Sequence, residues 1–300
     1  MNIRASAAGR AALAAAQVAS EPIEYLSRRH AAAGYNRRFP SAQVPRAQGY
    51  TLLRNGTLPG TDRVIAICRE LFAARKAEFE ARVLTPEEQA REQKKKAGFL
   101  RDLLEDSDVL AHPELVDFAL SDPLLSMITG YLGVVPDLNR VDIIYSRPRA
   151  NPDHFIKSQL FHQDPEGLQQ MKVFLYLFDV EEPNGPFFFI PAAESERVVR
   201  AVRRQRPRGE RDETRFTDVE VERAGGLKSA VRVTGPAGTA VLVDTSRCLH
   251  AGSRVHPGHF RACLFLQYCT SREGGQTFDA RRFRSDRVRW MALRRHAFAS

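Results

Sequence analysis

The stretch SQLFHQDPEGLQQMKVFLYLFDV, residues 158–180, joins an HxD triplet, His162-Gln163-Asp164, to the run MKVFLYLFDV, which is apolar at nearly every position. Consecutive apolar positions rich in β-branched and aromatic side chains mark a strand covered on both faces. Runs of the same kind recur as VDIIYS (141–146), FFFIP (187–191), TAVLVD (239–244) and RACLFLQY (261–268), punctuated by Gly, Pro, Asn and Asp. They predict an antiparallel β core. A double-sheet jelly roll closes such strands without long exposed edges.

The half upstream of residue 140 reads differently. From Thr61 to Val83, apolar residues fall at Val64, Ile67, Cys68, Leu71 and Phe72, which is helical spacing. Thr85, Pro86 and Glu88 predict a second capped helix, whose charged stretch to Lys96 is a solvated face. Residues 99–133 continue in helical pieces broken at Pro113 and Pro123. The expected class is α+β, a double-stranded β-helix (jelly-roll, cupin-like) core with N-terminal helices packed on it. Residues 1–48 are expected to form a poorly ordered or helical arm, 49–275 the main domain and 276–300 a basic tail. Residues 197–235 are expected to be a charged inserted loop or lid.

The 300 residues carry 45 Lys and Arg against 36 Asp and Glu, a net charge of +9, with 43% hydrophobic residues. This composition excludes a wholly disordered chain, a collagen-like sequence and a disulfide-rich miniprotein. No 18-residue apolar run is present, so no membrane-spanning helix is expected. Cys68, Cys248, Cys263 and Cys269 form no CxxC pair and suit buried thiols in a reducing compartment. The Ala-rich N-terminus, interrupted by Arg10, reads as a tail rather than a signal peptide, so a cytoplasmic location is expected. No GxGxxG, P-loop or GxSxG motif occurs, and nucleic acid is not the expected partner. Seven arginines between Arg197 and Arg211 would either steer an anionic or carrier-linked small-molecule substrate or be solvated surface charge.

The chemistry lies in the HxD triplet. On an extended chain, residues i and i+2 point to one face, so His162 and Asp164 can meet the same ion. His250 in DTSRCLHAGSR, directly after the strand TAVLVD, offers a third ligand from the opposite sheet. Two histidines and one carboxylate on one side of an octahedral ion leave three positions open, the facial triad of non-haem Fe(II) oxygenases. Arg261 opens the strand RACLFLQY, on which Arg261, Cys263, Phe265 and Gln267 share a face. An inward arginine in a β core needs a carboxylate partner, and a dicarboxylate cosubstrate chelating the metal at its other end would supply one.

These motifs, with NGPFFFIP at 184–191, resemble the phytanoyl-CoA dioxygenase-like family of Fe(II)/2-oxoglutarate oxygenases over roughly residues 49–270. The resemblance implies the jelly-roll core, Fe(II) held by His162, Asp164 and His250, and the distal 2-oxoglutarate carboxylate held by Arg261. It implies a dioxygenase that consumes O2 and 2-oxoglutarate, releases succinate and CO2, and hydroxylates a substrate. Asp164, which related halogenases replace with a small residue, is intact, and this favours hydroxylation. Ser253, Tyr145 and Gln159 occupy places from which related enzymes reach 2-oxoglutarate. Lys172 opens its strand and would meet a carboxylate or solvent. His154, His256 and His259 match no ligand spacing and read as loop residues. Where the family usually continues Pro-Gly-Ser-His, this chain has Pro191-Ala192-Ala193-Glu194-Ser195, at a turn that does not bind the metal. The alternative is a non-catalytic jelly-roll binding protein with a structural or vestigial metal site and a basic surface for an anionic partner.

Overall fold

The computed structural model describes residues 22–81, 98–149, 154–164, 169–211, 213–271 and 275–293, with isolated positions at 12 and 15. The helix expected from Thr85 to Lys96 lies outside the described residues. In chain order the elements are α1 (Pro22–Arg38), β1 (Tyr50–Leu53), α2 (Thr61–Ala81), β2 (Leu100–Asp102), α3 (Asp106–Ala111), α4 (Pro113–Ala119) and α5 (Asp122–Leu132). Then come β3 (Asp137–Ser146), β4 (Phe161–His162), β5 (Gln170–Tyr176), β6 (Phe187–Phe189), α6 (Ala192–Gln205), β7 (Arg215–Phe216) and α7 (Asp218–Arg223). The chain ends with β8 (Val231–Val233), β9 (Ala240–Val243), β10 (His250–Ala251), β11 (Arg261–Cys269) and α8 (Arg287–Leu293). Pro113 and Pro123 start α4 and α5 rather than interrupt them, since the first helical turn needs no backbone N–H.

The strands form two antiparallel sheets, a six-stranded one in the order β1-β9-β5-β11-β3-β2 and a five-stranded one in the order β7-β4-β10-β6-β8. Their inner faces meet in a core that includes Ile144, Phe174, Tyr176, Phe187, Phe189, Val241, Cys263 and Phe265. This is the jelly-roll core expected from the sequence. Every residue of β5 and β11 is buried because helices cover the outer face of the larger sheet. Val64, Ile67, Cys68 and Phe72 of α2 join that outer layer, as their helical spacing requires. No single helix among the described residues is long and apolar enough to cross a membrane.

Two expected boundaries need correction. Residues from 22 onward are not an arm attached to the domain. Buried Ala31, Ala32 and Tyr35 of α1 join the outer core, and Arg28 donates to the carbonyls of Val135 (2.7 Å) and Thr270 (3.1 Å). Within the expected tail, Ala292 and Leu293 of α8 are buried in the same layer. The described part of residues 197–235 is not one inserted loop but carries helices and short strands. Ala192, Ser195, Val198, Val199 and Val202 form a buried stripe along α6, which with α7 covers the outer face of the smaller sheet. The density of arginine hid this 3.6-residue period. Arg206 is 8% exposed and grips Glu220 at 2.6 Å, so it staples α6 to α7 rather than facing substrate.

Candidate active site

β4 and β10 are only two residues each, and they pair His162 directly against His250, so both histidines come from the smaller sheet and not from opposite sheets as expected. The imidazole rings lie 4.2 Å apart between centroids. Asp164, two residues past His162, presents Oδ1 at 3.5 Å from His162 Nε2 and Oδ2 at 3.4 Å from His250 Nε2. One ligand atom from each residue lies within 4.8 Å of the others. His162 Nδ1 contacts Leu160 O at 2.9 Å, and His250 Nδ1 contacts Cys248 O at 3.0 Å. A carbonyl only accepts, so each Nδ1 carries the proton and each Nε2 lone pair faces the common centre. The donor set fits a divalent transition metal.

Electrostatics keep these groups ready to bind a cation. Burial, and then the neighbouring His250, hold the His162 imidazole well below the usual imidazole range. Burial likewise lowers His250. Burial works against the Asp164 carboxylate, but the Lys172 ammonium together with His250 and His162 outweighs it and holds the group well below the usual carboxylate range. The folded metal-free chain thus binds fewer protons than the unfolded chain below the unfolded imidazole value. The stability these histidines confer is fully present above that value and is lost as pH falls through the window below it. The urea midpoint of metal-free protein is expected to fall below about pH 6.5, with up to about 1.4 kcal/mol per pH unit for each histidine. A midpoint unchanged between about pH 7 and about pH 5.5 would contradict buried neutral imidazoles.

The loop between β9 and β10 fixes this geometry. Buried Asp244 accepts from Ser246 N (3.1 Å), the Ser246 hydroxyl and Tyr131 Oη (2.8 Å) on α5. The loop so formed accepts the Asp164 N–H at Thr245 O (2.9 Å) and the Gln163 amide at Arg247 O (2.6 Å). Ser195, in the stretch that departs from the family pattern, accepts from Leu249 N at 2.7 Å, one residue before His250. Sequence reasoning did not single out Asp244. The Asp-x-Ser signature of a side-chain-capped turn after a strand could have found it.

Arg261 is 3% exposed and points between the sheets, as its strand position predicts. It donates to Gly185 O and, at 3.3 Å, to Ser146 Oγ, while its Nε has no partner. Gly185 has φ +65°, and a Cβ there would meet the Arg254 carbonyl carbon at 2.7 Å, so only glycine brings this carbonyl to the guanidinium. Ser253 (φ +60°) sets its Oγ 2.9 Å from Ser146 Oγ, beside Arg261. A cavity of about 150 Å³ joins these groups, lined by the triad with Lys172, Ser253, Arg261 and Gln267. No described residue from 197–211 lines it.

Tyr145 is a correction. The inward row of β3 is Arg140, Asp142, Ile144 and Ser146, and alternation sends Tyr145 to the other face. There it packs edge-on against Phe72 (5.4 Å) and Phe260 (6.2 Å) under the helical layer. Tyr145→Phe is therefore expected to leave 2-oxoglutarate affinity unchanged in a binding titration. Gln159 lies outside the cavity and spends its amide on Ser253 O (3.0 Å), so it orients Ser253. His154 and His256 line a separate cavity of about 540 Å³. His259 lies in the exposed turn before β11.

The comparison with curated proteins finds no match. Among solved structures, the chain is similar to the non-heme alpha ketoglutarate dependent carbocyclase SnoK from nogalamycin biosynthesis, at 20% identity over 77% of this chain and 81% of that one, with TM-score 0.44. It is similar to EctD from S. alaskensis with 2-oxoglutarate and 5-hydroxyectoine, at 16% identity over 75% and 73% of the two chains and TM-score 0.48. EvdO2 from Micromonospora carbonacea var. aurantiaca gives 17% identity, 75% and 88% coverage and TM-score 0.48. A family model described as phytanoyl-CoA dioxygenase (PhyH) matches residues 46–263, a span that holds both histidines, Asp164 and Arg261. By this match over most of its length, the chain belongs to the phytanoyl-CoA dioxygenase (PhyH) family.

Proposed function

We propose that this protein is an Fe(II)- and 2-oxoglutarate-dependent dioxygenase that hydroxylates a small molecule. The observation that carries the reading is the pairing of two tautomer-locked Nε2 donors and Asp164 with a buried guanidinium whose Nε lacks a partner. His162, Asp164 and His250 would hold the iron, and Arg261 with Ser253 and Ser146 would hold the distal carboxylate of 2-oxoglutarate. Bound together, iron and 2-oxoglutarate supply the oxidising power to place one oxygen atom of O2 on a substrate carbon and the other in succinate, with release of CO2.

The chain's own contribution is binding, orientation and exclusion of water. The two Nδ1–H···O=C bonds aim both imidazoles before any ligand arrives. Phe174, Phe187 and Phe265 give the same cavity an apolar wall. The described arginines of 197–211 lie on or beside the helices of the smaller sheet's outer face, and none of them lines the cavity that holds the triad.

The test is aerobic incubation of purified protein with Fe(II) and 2-oxoglutarate, with no other substrate. Slow succinate release that stops on chelation is expected from an oxygenase turning over uncoupled. A binding protein with a structural metal would release none, and that result would sink the reading.

A further inference from the structure

Lys172 touches a candidate metal ligand, although a site of two histidines and one carboxylate does not require a cation there. It sits on β5 between Val243 of β9 and Gln267 of β11 and is 8% exposed. Its Nζ lies 2.6 Å from Asp164 Oδ2 and 5.6 Å from the centroid of the Phe265 ring. An apolar side chain would fill this position among buried neighbours at lower cost, since an ammonium must be stripped of water to reach it.

The two oxygens of Asp164 are otherwise nearly equivalent. Oδ1 faces His162 Nε2 at 3.5 Å, and Oδ2 faces His250 Nε2 at 3.4 Å. With nothing to distinguish them, the carboxylate could grip an ion through both oxygens. That would occupy one of the three positions the facial arrangement leaves open. A chelating 2-oxo acid takes two of those positions, so none would remain for dioxygen. The charge-assisted bond from Lys172 breaks the equivalence.

We propose that Lys172 is a positioning residue that holds Asp164 Oδ2 away from the metal, so that the carboxylate offers only Oδ1 and a coordination position stays open for dioxygen. This rests on the proposed function. Lys172 acts through Asp164 and needs no contact with substrate. Arginine could replace it, because a guanidinium also donates a charged hydrogen bond, whereas methionine fills the space and donates nothing.

The experiment uses the full chain loaded with Mn(II) in place of Fe(II), with and without 2-oxoglutarate. Metal-bound waters are counted by water-proton relaxivity and by ¹⁷O-water hyperfine broadening. Wild type and Lys172→Arg are expected to show about three waters, falling to about one when 2-oxoglutarate binds. Lys172→Met is expected to lose about one third of the inner-sphere relaxivity, with about two waters, and to keep none once 2-oxoglutarate binds. Equal hydration in Lys172→Met and wild type would overturn the positioning role and leave Lys172 as charge balance for a buried carboxylate. Should Lys172→Met fail to fold, the wild-type count decides, because about two waters there would mean a two-oxygen grip despite Lys172. Failure of wild type to bind Mn(II) through the triad would instead overturn the metal reading itself, a different outcome from normal loading with unchanged hydration.

Discussion

His162→Ala and His250→Ala are expected to abolish iron loading and succinate release, and Asp164→Ala is expected to abolish turnover. The histidine variants remove an Nε2 donor from a site whose ligand atoms all lie within 4.8 Å of one another. Loss of a mere outer partner of a metal ligand commonly costs about 10–100-fold in affinity or activity, so loss of a ligand should exceed that range. Asp164→Ala has a second consequence peculiar to this chain. It leaves the Lys172 ammonium, now 2.6 Å from Asp164 Oδ2, facing two neutral imidazoles with no carboxylate between. A bare cation beside the site repels a divalent ion. Lys172→Met added to Asp164→Ala should therefore recover part of the metal affinity in an anaerobic titration. Full activity in Asp164→Ala alone would sink the ligand assignment.

Arg261→Ala is the second large effect. Iron affinity should be unchanged, while the 2-oxoglutarate requirement rises roughly 30- to several-thousand-fold, corresponding to about 2–5 kcal/mol for truncating one member of a buried charge pair. The guanidinium is enclosed, and the acceptors it holds are the Gly185 carbonyl and the Ser146 hydroxyl. Its unpartnered Nε would be answered by a carboxylate. Arg261→Lys should rescue only in part, because one ammonium cannot reproduce a planar fork. An unchanged 2-oxoglutarate dependence in Arg261→Ala would mean that another group binds the distal carboxylate.

The contrast between Arg261 and Tyr145 shows how far the sequence reaches. Both lie on strands of the larger sheet, and they are near neighbours, since Arg261 pairs with Ser146 and Ala262 with Tyr145. For Arg261 the local pattern decides orientation, because a guanidinium on an inward strand position is expensive unless acceptors or a carboxylate meet it there. For Tyr145 it cannot. VDIIYS is buried along its whole length, so period-2 alternation separates two faces without saying which is inside. Polarity misleads further, because the outer face of β3 is also roofed, by α2 and Phe260.

The sequence by itself determined the antiparallel core, the shared face of His162 and Asp164, the candidacy of His250 and the inward Arg261. Each follows from strand periodicity or from the cost of burying a particular side chain. Tertiary structure alone decided what those residues touch. The pairing of His162 with His250, the grip of Lys172 on Asp164 and the Asp244 turn beneath both ligands join segments eight to 113 residues apart. Such contacts depend on strand register and on the order of strands within two sheets. A one-residue slip would turn each of these side chains to the other face, and the local periodicity of the sequence does not specify that register.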